Sequence, residues 1–520
     1  MAGAEERDAG VRALVDVNQL SYRMTPGMSV ATSRVQREWD AMRQSYNEAD
    51  IITIPISTGA SFVDPANSTI KFRLNINLTA ATAAKYLFFW GNDTLRRQNA
   101  LNLFSEFRVV HSSGYEADRM GRGYAAWKYL SNAYAHDFDW FLTHGSLMRG
   151  TQVATDTPDS RAFRGNDGGG PAYPPQAPDA VVDTAATAQP YPGSMFDGTD
   201  EAFADRRPFG ATLTATVALP VTSTIAIDVE IPLSEISGIW AGNDLSPSFL
   251  MAGARIELTL QNKEQAFIVR NGLAVAPAVT NWNYTITNVK AKLETVTFTD
   301  AILRSISMTS ANTGLEIPFV AVHYAQANTN TSSQSIQVNR AVSRANAVVV
   351  RPYPQTSIAN TIRTSQLDSV AAYFLPLGDT GFQVKLGAEF MPATPIKDPI
   401  ALYQAAQIAW GNWKAREKNT VRMVDYVGQG PLGFVSGAAA PAQTLCPRAT
   451  LSLLAMTLEK SGTLAQSGSP ISAARDLNVV FGGESYTAYN DPIWGGMMCD
   501  VFVPHIALVT VFLDSILARS

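Results

Sequence analysis

Cysteine is nearly absent: 520 residues contain only Cys446 and Cys499. That excludes a disulfide framework and a cysteine-rich zinc site, and it leaves two reduced, buried thiols as the expectation. Charge is also scarce, at 16% of the chain against 46% hydrophobic residues. So small a charged share argues against a solvated, disordered chain and for large buried or partner-covered surface. Neither sign dominates. The net charge is −5, and the densest basic clusters are pairs such as Arg96-Arg97 and Arg206-Arg207. A protein that grips a nucleic-acid backbone usually carries a basic patch or tail, so tight duplex binding and sequence-specific nucleic-acid recognition are not expected. No run approaches the roughly 18 apolar residues of a membrane-spanning helix. The opening Met1-Ala2-Gly3-Ala4-Glu5-Glu6-Arg7 lacks the order of a secretory leader, and Met-Ala in place of Met-Gly removes the myristoylation pattern. Synthesis and folding in cytoplasm or nucleus follow as the default. Sequons such as Asn67-Ser68-Thr69 and Asn77-Leu78-Thr79 carry little weight without a secretory route.

Catalytic signatures are missing as well. There is no G-x-S-x-G elbow, no H-E-x-x-H and no phosphate loop. The histidines are His111, His136, His144, His323 and His505. His136, Asp139 and His144 fall on one predicted helix, where they could share a face and hold a metal. A zinc site normally needs three or four positioned ligands, and the flanking Phe138, Trp140 and Phe141 favour a helix packed on a sheet instead. A facing carboxylate pair for glycoside hydrolysis needs a set separation that sequence does not show. Trp410 and Trp413, three apart on a predicted helix, suit core or interface anchors better than a sugar- or base-stacking platform. We assign no catalytic, cofactor-binding or metal-ligating residue, and expect no enzyme.

What is present is a repeating β pattern. Ile70, Phe72, Leu74, Ile76 and Leu78 alternate with Lys71, Arg73, Asn75 and Asn77, which predicts a strand with one buried face. Ile52–Ile56 precedes it, with a turn expected over 57–66. Tyr86–Trp90, Phe104–Val110, Leu213–Leu219, Thr224–Ile231, Arg255–Leu260 and Tyr284–Phe298 read as further strands, with a turn at Ser112-Ser113-Gly114. A second series follows at Leu315–Tyr324, Ala347–Val350, Phe382–Phe390, Leu477–Phe481 and Val501–Phe512. Helices are expected at 33–46, where Ser33 would cap Val35, Trp39, Met42 and Tyr46; at 123–145; and at Pro399–Trp413. The 150–210 stretch breaks pattern, with Gly168-Gly169-Gly170-Pro171 and Pro174-Pro175; so long a loop is usually functional or mobile. Another loop-rich stretch runs from Gly428 to Gln443. Strands at this spacing suggest a sandwich, and eight-stranded jelly rolls are one such class. The expected organisation is an N-terminal arm over 1–50, a first β unit over 51–305 with an insertion at 150–210, and a second over 306–520.

Specific runs carry a likeness. Ile231-Pro232-Leu233-Ser234-Glu235-Ile236, then Phe249-Leu250-Met251-Ala252-Gly253-Ala254-Arg255-Ile256-Glu257-Leu258-Thr259-Leu260, resemble the end of the first jelly roll in double jelly-roll major capsid proteins. Phe107-Arg108-Val109-Val110-His111-Ser112-Ser113-Gly114 does so too. Gln383-Val384-Lys385-Leu386-Gly387-Ala388-Glu389-Phe390-Met391-Pro392, Pro395-Ile396 and Ala401-Leu402-Tyr403-Gln404-Ala405 look like the strand, proline turn and helix of polinton-like viruses, virophages and the adenovirus-like lineage. The resemblance implies two tandem eight-stranded jelly rolls and a homotrimer forming a pseudo-hexagonal capsomer in the icosahedral shell of a DNA virus. It implies as partners neighbouring capsomers, penton and minor capsid proteins, with the virion as location, and leaves open whether an internal membrane lies beneath the shell. On this reading the arm lies inward and the 150–210 insertion forms a tower loop or intersubunit contact. Two other readings stand beside it. A jelly-roll carbohydrate-binding or carbohydrate-active protein would need a clustered Trp/Asp/Glu cleft, and a virion attachment protein would need a fixed-period β repeat; neither pattern is visible.

Overall fold

The computed structural model describes residues 31–519, apart from 81–84, 91–97, 153–211, 215–220, 242–252, 272–281, 355–369, 411–420, 428–433, 437–444, 460–467, 483–496, 512–515 and shorter stretches. The first half contributes β1 (Ala31–Asp40), β2 (Ile51–Ile56), β3 (Phe62–Ala80), β4 (Phe104–Val110), β5 (Glu116–Met120), β6 (Val221–Pro232), β7 (Ala254–Leu260) and β8 (Trp282–Phe298). It also contains helices α1 (Tyr124–Ala135), α2 (Leu233–Ile236) and α3 (Gly238–Ala241). One sheet runs β1-β8-β3-β6, and a second runs β2-β7-β4-β5. Alternation decides the faces. Ile70, Phe72, Leu74 and Ile76 of β3 are buried, and each such side chain contributes about 1.5–3 kcal/mol on leaving water. Ile54, Ile256, Leu258, Phe107 and Val109 supply the other sheet's inner face. Phe72 meets Phe104 edge to face at 6.2 Å, which joins the two layers.

Helix α4 (Asp300–Asn312) leads to the second half. There β9 (Leu315–Thr329), β10 (Ser333–Val338), β11 (Val342–Ala345), β12 (Ala347–Pro354), β13 (Gly381–Leu386), β14 (Glu389–Ile396), β15 (Leu454–Thr457), β16 (Ser469–Ile471), β17 (Leu477–Gly482), β18 (Met497–Val511) and β19 (Ile516–Arg519) form, with α5 (Pro399–Ala409) inserted after β14. The larger sheet runs β15-β12-β18-β11-β16, with β9 and β19 also paired to β18; the smaller runs β10-β17-β13-β14. Leu477, Val479 and Phe481 of β17 are buried between half-buried Asn478 and Val480. Every strand pair among the described residues is antiparallel, and none crosses from one side of α4 to the other.

Four expectations need correction. The helix at 33–46 is instead strand β1, paired with β8 from Ser33↔Thr297 to Asp40↔Lys290. Val35 and Trp39 lie four apart, a spacing that puts two side chains on one side of a helix and of a strand alike, and the long β8 partner decides between them. The 123–145 helix stops at Ala135: His136 is extended at φ −114°, ψ 146°. Asp137 accepts a 2.8 Å bond from the Trp140 amide, so a capping carboxylate starts a new turn where continuous helix was expected. The turn expected over 57–66 is shorter, because β3 begins at Phe62. Phe382–Phe390 is a hairpin rather than one strand. Gly387 at φ +64° makes its turn, a backbone conformation that glycine adopts without a Cβ penalty.

Candidate functional site

Among the described residues no cluster of three or more His, Cys, Asp or Glu gathers to hold a metal, and no helix is long and apolar enough to cross a membrane. The histidines of the metal reading are dispersed into packing. His136 stacks on Trp140 at 3.7 Å and places Nε2 3.6 Å from the Glu235 carboxylate. His144 lies 6.2 Å from Trp140 on the following helix, and Asp139 lies outside the described residues. His136 and Lys128 hold the Glu235 carboxylate below its ordinary range against the opposing effect of burial. The notable polar groups are therefore structural, and they lead to the seam between the halves.

Helix α1 lies along that seam. Its Trp127 stacks on Trp410 at 5.0 Å and meets Phe502 of β18 at 5.3 Å. Two helical turns further on, Tyr134 also stacks on Trp410, at 5.5 Å. The Tyr134 hydroxyl donates to the Leu451 carbonyl at 2.8 Å. Trp410 is thus an anchor between halves, though it caps the helix that ends at Ala409 rather than lying within it; Trp413 lies outside the described residues. Two glycines permit the close approach. A Cβ on Gly123 would stand 2.5 Å from the Tyr324 ring, and one on Gly238 would stand 2.2 Å from the Val320 carbonyl oxygen.

Behind Tyr324 lies an ionic network that composition does not reveal. Arg351 of β12 donates to Asp500 of β18 at 2.7 Å, with both side chains at most 3% exposed. The Tyr324 and Tyr353 hydroxyls also donate to Asp500, at 2.9 and 3.1 Å, and Gln326 donates to the Tyr353 hydroxyl at 2.7 Å. Burial raises the Asp500 carboxyl, and Arg351 and the tyrosines oppose it. The sequence signals were a lone Arg in the apolar run of β12 and a lone Asp in that of β18. A second buried carboxyl, Asp118 on β5, is raised by burial and accepts from the Ser237 hydroxyl between α2 and α3.

The outer faces of the first half carry paired charge. Arg73 bonds Asp228 at 2.8 Å, Arg119 bonds Glu106 at 3.0 Å, and Arg108 reaches Glu257 at 3.0 Å. Both halves also expose apolar groups: Val35, Met42 and Tyr115 in the first, and Val320, Phe390, Ile400 and Ile408 in the second, are each at least 45% exposed. Ile400 and Ile408 recur at eight residues along α5, on one side of the helix. The described residues thus offer packed walls, a seam between the halves and exposed faces.

No protein-family model matches the sequence, and no curated protein matches it. Solved structures do match its shape. A chain in the 3.5 Å cryo-EM structure of the Sputnik virophage superposes with a TM-score of 0.56 at 9% identity, covering 96% of this chain and 90% of its own. The Faustovirus major capsid protein superposes with a TM-score of 0.50 at 10% identity, covering 94% of this chain and 92% of its own. Both matches take in the first and second halves together, and this chain has the fold of the double jelly-roll viral capsid proteins.

Proposed function

We propose that this chain is a viral major capsid protein, a structural component of the virion and not an enzyme. The observation that carries the reading is the extent of the fold match: more than nine-tenths of this chain and of the Faustovirus major capsid protein superpose. The sheets described on either side of α4 support a division into two jelly rolls, over 51–305 and 306–520, with the 150–210 insertion as surface. Rigid sandwich walls and permissive loops suit a shell subunit, because insertions can change the surface without disturbing the core. The finer reading is a homotrimer whose six jelly rolls form a pseudo-hexagonal capsomer in the icosahedral shell of a DNA virus, packed against neighbouring capsomers, penton and minor proteins. The exposed apolar side chains of β14 and α5 suit a subunit contact, since association of copies covers apolar surface. The test is the mass of the purified protein and its appearance under the electron microscope. A trimer that builds hexagonal arrays or closed shells is expected. A stable monomer that never assembles, or one that hydrolyses glycans, refutes the proposal.

A further inference from the structure

Strand β1 is an edge. It pairs with β8 on one side, and among the described residues no strand pairs with its other side; just past its end the Met42 amide donates to the Thr53 carbonyl of β2 at 3.0 Å, so the open edge runs from Ser33 toward Asp40. Ser33, Arg34, Val35, Gln36, Arg37 and Glu38 are all exposed, Val35 at 45%. The backbone phase of the ladder follows from one bond. The Ala41 amide donates to the Val289 carbonyl at 3.0 Å, and these two residues continue the register Asp40↔Lys290. Facing residues of an antiparallel ladder alternate between hydrogen-bonded and non-bonded pairs. Trp39, Arg37 and Val35 therefore turn their backbone groups to β8, and Asp40, Glu38, Gln36 and Arg34 turn theirs outward.

Natural edges are commonly blunted by charged side chains, lysine above all, or by proline, a bulge or shortness. From Ser33 to Asp40 the strand has no lysine, no proline and no register shift. It carries opposite signs in order instead, Arg34 and Arg37 first, then Glu38 and Asp40. Such a strand complements itself when two copies run antiparallel. Of the registers that match outward-facing residues, the one centred on Gln36 sets each Arg34 opposite Glu38 of the second copy and opposes no like charges. A shift by one residue in each chain, centred on Arg37, faces Arg37 with itself; centring on Glu38 faces Glu38 with itself. Opposite charges directly across a ladder stabilise it, and like charges destabilise it.

We propose that the outward edge of β1 is an interaction surface for a second copy of this chain, forming an antiparallel, two-fold β1–β1 pair centred on Gln36. The intrachain ion pairs hold the strand in place for it: Arg34 with Glu294 at 2.6 Å and Asp64 at 3.0 Å, and Lys290 with Glu38 at 3.1 Å. The pairing is isologous, so each copy presents the same patch. It joins two sheets into one and is independent of the capsid reading.

The test uses the full chain with a cysteine at the symmetry centre. Under mild oxidation Gln36→Cys is expected to give a disulfide-linked dimer on a non-reducing gel, since directly facing strand positions lie within disulfide range. Wild type and Val35→Cys, whose register partner is Arg37, are expected to give none. Gln36→Pro supplies the second arm. The Gln36 amide faces away from β8, so proline removes no ladder bond within the chain. Its thermal midpoint is expected to match wild type, with association through this edge at least tenfold weaker. An unlinked Gln36→Cys chain overturns the proposal, including the case in which residues 1–30 of the same chain cover the edge. Unchanged association of Gln36→Pro overturns it too. Shells or trimers that form without a 36–36 link overturn the pairing and leave the capsid reading standing. A linked dimer that builds no shell supports the pairing and overturns the capsid reading.

Discussion

Replacing Asp500 by Asn changes one buried charge and almost no volume. The Asn oxygen can still accept from the Tyr324 and Tyr353 hydroxyls, which lie 2.9 and 3.1 Å from Oδ1 in the wild type. The amide nitrogen takes the place of Oδ2 and faces the Arg351 Nη1 that stood 2.7 Å away. Donor then meets donor, and a guanidinium 3% exposed loses its counter-charge. Removing one partner of a buried pair costs about 3–5 kcal/mol, against a total stability on the order of 5–15 kcal/mol. The opening equilibrium of the large second-half sheet is therefore expected to shift by roughly two to three and a half decades, at about 1.4 kcal/mol per decade. Replacing both residues, Arg351→Met with Asp500→Asn, removes the stranded cation and is expected to recover most of the loss. Hydrogen exchange at the amides of Val501, Phe502 and Val503 is the suitable measurement, because a chain this long need not unfold in one step. A single-variant shift below about 1 kcal/mol, or a double variant no better than Asp500→Asn, would refute the buried-charge argument.

Further outcomes follow from the same geometry. Gly238→Ala is expected to destabilise the seam strongly, because its Cβ would stand 2.2 Å from the Val320 carbonyl oxygen; a melting temperature within a degree of wild type would show that the backbones part easily. Trp410→Ala removes the side chain stacked on Trp127 and Tyr134; a loss of about 3 kcal/mol is expected in denaturant titration, at the low end for a tryptophan because the side chain is only part-buried. Arg73→Ala breaks an ion pair whose members are 38% and 34% exposed, so its cost is expected to stay below about 1 kcal/mol. Burial, aided by Arg340 and His505, lowers the His323 pKa from 6.5 to about 4. Between these values the unfolded chain binds a proton that the folded chain does not. Stability is therefore full above pH 6.5 and is lost as pH falls toward 4. After a discount for partial exposure, the loss is on the order of 1–2 kcal/mol. His323→Gln is expected to flatten that part of the stability-against-pH curve, and an unchanged curve would remove His323 as its cause.

Local pattern alone determines a good part of this molecule. The alternation in Ile70–Ile76 reports which side chains leave water, and the run forms a strand with the expected buried face; Arg255–Leu260 and Leu477–Phe481 form strands as read. Helix α5 was legible from Pro399 onward, while its cap, the Asp398 side chain that accepts from the Ala401 amide, and its end at Ala409 rather than Trp413 are findings of the structure. Tertiary structure decided what spacing left open. Val35 and Trp39 satisfy a helix and a strand equally, and only β8, some 250 residues downstream, settles that they form an edge strand. Trp410 was legible as an anchor, but its partners Trp127, Tyr134 and Phe502 come from distant parts of the chain. Arg351 and Asp500 read as ordinary charges until β12 and β18 lie side by side. Burial at that depth makes the pair costly to break, and burial is a property of the assembled sheets rather than of either residue's neighbours in sequence.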